Sequence, residues 1–317
     1  MTNSLEVLDH VRLNFSNSGL LFLNIALAFI MFGVALDIKV EHFEDILKKP
    51  KSAIVGFISQ TFLLPAFTFL LVLLLKPTPT VALGMILVAA CPGGNISNFI
   101  SSMARGNVAL SVSLTAISTL GAIFFTPFNF ALWGNFYIDF YNAHSAAGLV
   151  RPLEIDKYQM FQTVFILLGI PVIIGLFVSR KFPKLTEKIK KPINRGSLLF
   201  FVLMVIAMLS ANFTQFTSFV HLVFFIVLLH NGLALATGYF SSLIMKCPRQ
   251  DQRTISIETG IQNSGLALAL MFNPKIFPPE MELGGMAVIA AWWGIWHIIS
   301  GLSIAFFWSR KPVLANI

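Results

Sequence analysis

The eight residues CPGGNISN at positions 91–98 decide how this sequence folds, because they interrupt a long apolar stretch. Proline lacks a backbone N–H and clashes with the preceding helical turn, and the two glycines that follow loosen a helix further. Irregular backbone at membrane depth survives only inside protein or beside a cavity. The stretch therefore predicts a broken helix that lines a binding site. The alternative is a kinked helix whose polar groups bond to neighbouring helices.

The composition places this stretch in a membrane. Of the 317 residues, 56% are apolar and 11% are charged, whereas about 25% are charged in a typical soluble domain. The mean hydropathy is +0.80, and several apolar runs approach the ~20 residues that span a bilayer. The net charge of +8 comes from basic residues in short connections between apolar runs. That placement is a topology signal, so we predict an all-α polytopic membrane protein that binds no nucleic acid.

Nine membrane spans are predicted from the apolar runs. They cover roughly residues 19–38, 53–75, 80–104, 107–133, 159–179, 197–215, 218–245, 254–273 and 283–308. Residues 134–158 form the longest predicted connection. The first 18 residues lack the basic start of a signal peptide, so we predict that they precede the first span as an extracellular or periplasmic segment.

Lys and Arg residues set the predicted orientation. If the N-terminus lies outside, the inner segments hold 17 of the 22 basic residues and the outer segments hold 5. Basic residues concentrate on the cytoplasmic side of a membrane. We therefore predict an N-terminus outside, a cytoplasmic C-terminus, residues 134–158 outside and residues 179–197 inside.

A second interruption, ETGIQNSG at positions 258–265, lies in the eighth predicted span. Of the 14 acidic residues, Glu258 is the one predicted to lie deep within a span. A charged side chain at that depth costs at least ~2.5 kcal/mol, so it needs a partner, and no Lys or Arg is predicted at its level. Two interpretations stay open. Glu258 is neutral and bonded to a neighbouring helix, or a mobile cation neutralises its carboxylate.

The two interruptions occupy corresponding positions. Spans two to four and spans seven to nine form two triplets, and the interrupted span is the middle member of each. With the N-terminus outside, the third span runs inward and the eighth runs outward. Opposed broken helices of this kind are typical of the inverted repeats of secondary transporters.

Other polar side chains are predicted within the spans. They are Gln60, Ser111, Thr115, His230, Asn231 and His297. Each alone is typical of a helix–helix hydrogen bond. Together with Glu258 they supply many oxygens and no thiolate cluster, which favours a hard cation over zinc.

These motifs resemble those of the bile acid:sodium symporters. The resemblance rests on CPGG at 91–94 with Ser97 and Asn98, ARGNVALSV at 104–112, residues 258–267, IMFG at 30–33, LHNG at 229–232, and Trp296-His297 with ISG at 299–301. It extends from about residue 24 to residue 308. The chain is similar to a bacterial homologue of the apical sodium-dependent bile acid transporters, which implies a bacterial inner (plasma) membrane location. It also implies a core of residues 53–133 and 218–308 and a panel of residues 19–38 and 159–215.

The resemblance further implies sodium-coupled symport of an organic anion, such as a bile acid or small carboxylate, by alternating access with two sodium ions. The first sodium site would comprise Ser97, Asn98, Ser111, Thr115 and Glu258. The second would comprise Gln60, Glu258, Thr259, Ile261 and Gln262, with Thr259 and Ile261 contributing backbone carbonyls. The substrate would lie near Asn95, Asn263, Ser264 and His297. Ile298 stands where the family often has Asn, which leaves the substrate's identity open.

Three other functions are alternatives for this sequence. A proton-coupled carrier of the same fold would place a proton on Glu258, and transport under a sodium gradient at clamped pH separates it from a sodium symporter. An intramembrane enzyme is disfavoured because no second buried carboxylate and no HExxH motif occur, although a Ser264–His297 pair stays open. A channel or receptor is disfavoured because no selectivity-filter sequence or charge ring is present. Nothing in the sequence indicates an obligate protein partner.

Overall fold

The computed structural model describes residues 5, 8, 17–38, 50–144, 157–211, 213–273, 276–277 and 281–310. Within these residues all regular structure is helical, which confirms the all-α prediction. The helices are α1 (Asn17–Asp37), α2 (Pro50–Ile58), α3 (Leu64–Leu75), α4 (Pro79–Ala90), α5 (Ile96–Met103), α6 (Val108–His144), α7 (Lys157–Val164), α8 (Ile170–Lys181), α9 (Pro183–Ala211), α10 (Phe213–Ile244), α11 (Arg249–Gly260), α12 (Ser264–Met271) and α13 (Gly284–Ser309). Two π-helical segments, Ser59–Leu63 and Phe165–Gly169, join α2 to α3 and α7 to α8.

Several of these helices are long and apolar enough to cross a membrane. In the described residues five qualify by length and composition, namely Pro50–Leu75, Val108–His144, Tyr158–Lys181, Phe219–Ile244 and Gly284–Ser309. Two shorter apolar helices, Asn24–Leu36 and Pro79–Ala90, accompany them. Apolar helices of this length satisfy their backbone groups internally, as a bilayer requires. The chain is therefore a membrane protein with several apolar helices.

Two predicted connections are partly helical. The fourth span was predicted to end at residue 133, but α6 continues to His144, so the predicted loop 134–158 is helical to residue 144, and its residues 145–156 lie outside the described residues. The prediction was wrong because aromatic side chains keep packing at helical spacing. Tyr137 is buried, and the ring of Phe136 lies 6.3 Å from that of Phe69.

The predicted connection 179–197 is likewise mostly helix. Helix α9 begins at Pro183, and Phe182 alone separates it from α8. Proline is well placed in the first turn of a helix, where its missing N–H would have no partner. The Lys, Leu and Glu residues that follow are good helix formers, so this basic segment extends the sixth predicted span. Of the predicted external segment 1–18, the structure describes Leu5, Leu8 and the first residues of α1.

Both predicted interruptions separate two short helices. The first break lies between Ala90 and Ile96, and the second lies between Gly260 and Ser264. The two breaks pair with each other, because Gly94 N donates to Ile261 O at 2.9 Å and Asn263 N donates to Pro92 O at 2.8 Å. This short bridge satisfies backbone groups that an unbroken helix would have bonded internally.

Helix α1 packs mainly against α8 and α9. A Cβ added to Gly175 would lie 2.6 Å from the Ala35 Cβ, so α8 approaches α1 closely because residue 175 has no side chain. The ring of Phe200 in α9 stacks on Phe22 of α1 at 5.2 Å. The helices that carry the two breaks pack around each other on a shared buried core, into which Trp293 of α13 is fully buried.

The π-helical segment Ser59–Leu63 has a local cause. Pro65 lacks the N–H that would bond to Thr61 O four residues earlier. The Leu64 N–H bonds instead to Ser59 O, one residue further back than in an α-helix. Asn129 of α6 compensates, because its Nδ2 donates to Thr61 O at 2.9 Å. The widened turn presents Gln60 to the protein interior, where it is buried.

Candidate functional site

A buried carboxylate lies at the centre of the helices around the breaks. Glu258 of α11 is 1% exposed. Ser111 Oγ donates to its Oε1, and Thr115 Oγ1 donates to its Oε2 at 3.0 Å. Ser111 and Thr115 lie four residues apart and therefore share one face of α6. The described contacts of the carboxylate are hydroxyls and include no Lys or Arg, so its charge has no fixed positive partner.

The half-helix α5 adds two more oxygens to this cluster. Ser97 Oγ lies 3.4 Å from Thr115 Oγ1, and Thr115 Oγ1 lies 3.3 Å from Asn98 Oδ1. The structure therefore brings together all five residues of the predicted first sodium site. Their side chains offer neutral oxygens around one carboxylate, which is the ligand type that hard cations prefer.

The residues of the predicted second sodium site meet on the backbone side of Glu258. Gln60 Nε2 donates to Glu258 O at 3.0 Å, and Gln262 Nε2 donates to Thr259 O at 2.8 Å. The Oε1 atoms of both glutamines are buried without a hydrogen-bond partner. The Ile261 carbonyl is also close, since it accepts the bridge bond between the breaks. Buried acceptors without donors are costly, and a cation would satisfy them.

Gly93 keeps space open between the two sets of oxygens. A Cβ added there would lie 2.6 Å from Gln60 Nε2 and 3.4 Å from Glu258 Oε2. The first distance is far below van der Waals contact. Any side chain at position 93 would therefore displace the Gln60 carboxamide or fill the gap beside the carboxylate.

The predicted substrate residues lie around the bridge between the breaks. Asn263 is the N-cap of α12, and its Oδ1 accepts from Leu266 N at 3.0 Å, which leaves the side-chain Nδ2 for another partner. Ser264 is buried next to α13, because a Cβ on Gly294 would lie 2.7 Å from its Oγ. Asn95, the N-cap of α5, is exposed and makes no capping bond.

His297 faces the same bridge. Gly294, His297 and Gly301 are spaced three and four residues apart, so they share one face of α13. Gly294 abuts Ser264, and Gly301 abuts Ile261. His297 is buried, and its Nδ1 has no hydrogen-bond partner. In the described structure Ser264 and His297 share no hydrogen bond.

A polar clamp holds α6 against α11 one helical turn from the carboxylate. Asn107 N donates to Thr254 Oγ1 at 2.8 Å, and Thr254 Oγ1 donates to Asn107 O at 3.1 Å. Asn107 Nδ2 donates to Asp251 Oδ1 at 2.9 Å, and Ser52 Oγ donates to Asp251 Oδ2 at 2.6 Å. We call Ser52, Asn107, Asp251 and Thr254 the polar clamp. Its four side chains join α2, α6 and α11.

The polar clamp sets the register of the two helices. Asn107 lies four residues before Ser111, and Thr254 lies four residues before Glu258. Because the two clamp residues are paired, the residues one turn further along also meet. Gly106 permits this approach, since a Cβ there would lie 2.6 Å from Thr254 Oγ1.

Comparison with known proteins identifies the family. Residues 24–219 match the model of the sodium bile acid symporter family. The chain belongs to the sodium bile acid symporter family. It is 32% identical to an uncharacterized sodium-dependent transporter, YocS, of Bacillus subtilis (strain 168), over 92% of this chain and 84% of the relative. This confirms the resemblance that the sequence motifs indicated.

Two eukaryotic members of the symporter family widen the comparison. A probable sodium/metabolite cotransporter of rice chloroplasts, BASS2, is 32% identical over 84% of this chain and 63% of the relative. The ileal sodium/bile acid cotransporter of rabbit is 28% identical over 86% of this chain and 78% of the relative. Both names contain sodium, whereas one names a metabolite and the other a bile acid. Membership of the family therefore shows that the chain belongs among sodium-dependent transporters and does not identify its substrate.

The sequence motifs do not indicate the polar clamp. Asn107 belongs to the ARGNVALSV motif at 104–112, whereas no motif in the sequence points to Ser52, Asp251 or Thr254. One signal was available, because Asn107 and Thr254 each precede a predicted ligand by four residues. Their pairing itself depends on contacts across about 150 residues of chain, which a single sequence does not reveal.

Proposed function

We propose that this chain is a sodium-coupled symporter that carries an organic anion across the membrane by alternating access. The observation that carries the proposal is Glu258, a buried carboxylate surrounded by neutral oxygens on one side and unpartnered amide oxygens on the other. Membership of a sodium-dependent transporter family supports the choice of ion.

Two sodium ions share the carboxylate in this proposal. The first binds among Ser97, Asn98, Ser111, Thr115 and Glu258, and the second binds among Gln60, Glu258, Thr259, Ile261 and Gln262. The unpartnered Oε1 atoms of Gln60 and Gln262 support the second position, because each glutamine has already used its Nε2 on a backbone carbonyl. Two monovalent cations and one carboxylate give the loaded site a net charge of +1, which favours the entry of an anion.

The anion binds where the half-helices α5 and α12 begin. Their N-terminal N–H groups and positive dipole ends favour negative charge. Asn95, Asn263, Ser264 and His297 surround that position and supply side-chain donors. The second sodium position includes the Ile261 carbonyl, and the anion position begins two residues later at Asn263. A sodium ion that fixes the backbone at Ile261 therefore also fixes the backbone at Asn263. This adjacency is the proposed basis of coupling.

The proposed architecture follows the predicted repeat. Nine spans place the N-terminus outside and the C-terminus in the cytoplasm of a bacterial inner membrane. Residues 53–133 and 218–308 form a core of two inverted triplets, and residues 19–38 and 159–215 form a panel. The close packing of α1 on α8 and α9 supports this grouping. Movement of the panel against the core would expose the anion site to each side in turn.

Uptake into proteoliposomes tests the function directly. We expect an inward sodium gradient at clamped pH to drive accumulation of at least one radiolabelled anion among bile acids, 2-oxo acids and sulfonates. A thermal-shift screen of these anions with and without sodium selects the candidates. Uptake that follows a proton gradient and ignores sodium would contradict the proposal and favour a proton-coupled carrier of the same fold.

A further inference from the structure

A small chamber lies beside Gln60 and does not include Glu258 in its wall. Its cavity volume is about 10 Å³, which admits one water-sized occupant. One face of α6, the π-helical segment and the end of α4 form the wall. The lining residues are Gln60, Thr61, Ala90, Cys91, Pro92, Ser118, Gly121, Ala122, Phe125, Thr126 and Asn129. We call this cavity the side chamber.

The side chamber is lined by residues that carry several hydrogen-bond acceptors. Gln60 Oε1 and Thr126 Oγ1 are buried and lack a hydrogen-bond partner. Each nearby amide has one of its two N–H groups committed, because Gln60 Nε2 donates to Glu258 O and Asn129 Nδ2 donates to Thr61 O. Ser118 Oγ directs its proton to a backbone carbonyl, so its lone pairs remain available. The lining described above contains no Lys, Arg or His.

The end of α4 adds to this preference for positive charge. Ala90 is the last residue of α4, and Cys91 and Pro92 follow it in the chamber wall. The C-terminal end of a helix carries partial negative charge on carbonyls without helical partners. The occupant that suits this wall is therefore small and positively charged, or a water molecule that donates both of its protons. An organic anion fits neither the charge nor the volume.

Gln60 separates the side chamber from the carboxylate. Its Nε2 donates to Glu258 O beside Gly93, and Gln60 is also one of the residues that line the chamber. It is mounted on the π-helical segment, where the i→i+4 bonding of the helix is already broken. Gln60 therefore borders both the chamber and the space beside Glu258.

We propose that the side chamber is an access site for sodium, in which an entering or leaving ion contacts Gln60, Thr126 and Ser118 on its way to or from Glu258. The inference rests on the proposed sodium coupling and adds a route to it. The carboxylate one side chain away attracts the cation, and the chamber oxygens replace part of its hydration shell. Because the chamber is a station on the path and not the resting position, its oxygens govern the exchange rate more than the equilibrium affinity.

The test is exchange of ²²Na⁺ on purified protein in detergent. The protein is equilibrated with ²²Na⁺, diluted into excess unlabelled NaCl, and the bound label is followed in time. Thr126→Val replaces the hydroxyl by a methyl group of similar size. We expect exchange to slow about tenfold, the order of effect of losing one polar contact to a charged group, with unchanged equilibrium binding. Thr126→Ser should restore the wild-type rate.

Thr119→Val is the matched control, because Thr119 is a buried threonine of the same helix outside the chamber wall. It should exchange at the wild-type rate. Ser118→Ala, which should also slow exchange, replaces Thr126→Val if that variant fails to fold. Equal exchange in Thr126→Val, Thr119→Val and wild type would overturn the access site and leave water as the occupant.

Two further results are distinguishable from these. If Thr126→Val weakens equilibrium ²²Na⁺ binding and speeds its release, the hydroxyl is a ligand of a resting ion, and the access role is wrong. If the wild type binds no ²²Na⁺, the proposed sodium coupling fails, and the access site fails with it. If the wild type shows sodium-driven uptake and Thr126→Val exchanges ²²Na⁺ at the wild-type rate, the access site is wrong and the proposed sodium coupling stands.

Discussion

The two breaks differ in how far they are closed. At the second break Ile261 and Gln262 are fully buried, whereas at the first break Gly94 is half-buried and Asn95 is exposed. The asparagines that start the following half-helices differ in the same sense. Asn263 caps α12 with its side chain, and Asn95 makes no capping bond. The closed break is pre-organised, while the first break retains an unused polar side chain at its surface.

This difference suggests that the two breaks, although similar in sequence pattern, have different roles. A closed, oxygen-rich break beside a buried carboxylate suits ions that must be stripped of water. A half-open break with a free amide suits a larger, variable substrate. In our proposal both sodium ions share Glu258 beside the second break, the first also contacts Ser97 and Asn98 of α5, and both breaks together hold the anion. Variants at one break that change binding of the ligand assigned to the other break would contradict this difference in roles.

Loss of the Glu258 charge should have the largest effect. Glu258→Gln keeps the shape of the side chain and one carbonyl oxygen but removes the charge shared by both proposed sodium positions. We expect sodium affinity to fall about tenfold or more and sodium-driven uptake to be lost, since charged ligands make the stronger contacts. Proteoliposome uptake and sodium calorimetry measure the two quantities.

Glu187→Gln provides the control for this variant, because Glu187 is an exposed glutamate of α9. It should transport at the wild-type rate. Full sodium-driven uptake by Glu258→Gln would contradict the proposed role of the carboxylate and, with it, the assignment of the closed break to sodium.

Gly93→Ala tests the gap between Gln60 and Glu258. The new Cβ would lie 2.6 Å from Gln60 Nε2, so the carboxamide has to move away from the second sodium position. We expect this variant to bind one sodium ion where the wild type binds two, as counted by calorimetry. Gly232→Ala is the matched control, since nothing lies within 4 Å of a Cβ there. Equal stoichiometry in both variants would argue against a second ion beside Gln60.

The dependence of uptake on membrane potential reports the net charge moved in each transport cycle. Two sodium ions and one monovalent anion move 2 − 1 = +1 charge in each cycle. At 100 mV, inside negative, this contributes about 2.3 kcal/mol to uptake. Clamping the potential with potassium and valinomycin should therefore change accumulation strongly for a monovalent anion. A divalent anion would cancel the effect, and voltage-independent uptake of a monovalent anion would exclude the 2:1 ratio.

Local patterns in the sequence were sufficient to predict most of the helices. Apolar runs predicted the spans, and Pro92 with its two glycines predicted the first break. Prediction was wrong where the determinant was packing or helix propensity in a polar stretch. Aromatic contacts extend α6 beyond residue 133, and a run of helix-forming basic residues extends α9 backward to Pro183.

The sequence was sufficient to predict which residues belong to the candidate site, but not how they are positioned relative to one another. The motifs named Glu258 and its neighbours, and the structure places these residues side by side. The position of Gln60, however, depends on Pro65 and on Asn129, which bonds to Thr61 across 68 residues of chain. The register of Ser111 and Glu258 depends on the polar clamp. These are interactions between distant segments, and no periodicity in one sequence encodes them.

The smallest and sharpest test compares the two asparagines. Asn263→Ala removes the cap of α12, which should lower stability by about 1 kcal/mol, and it also removes the Nδ2 donor proposed for the anion. Asn95→Ala removes a proposed donor but no capping bond, so it should weaken anion binding several-fold without a change in melting temperature. Asn263→Asp keeps the capping oxygen and replaces the donor with a negative charge.

These three variants separate stability from recognition. Asn263→Asp should melt like the wild type and bind the anion worst of the three, because the new carboxylate repels it. Calorimetry with a transported anion at saturating sodium, together with thermal melting, gives both quantities for each variant. If Asn95→Ala lowers the melting temperature as much as Asn263→Ala, the first break is as closed in solution as the second. If Asn263→Ala loses sodium binding and keeps anion binding, the assignment of Asn263 to the anion is wrong. Asn263 would then support sodium binding by fixing the backbone of Ile261 and Gln262.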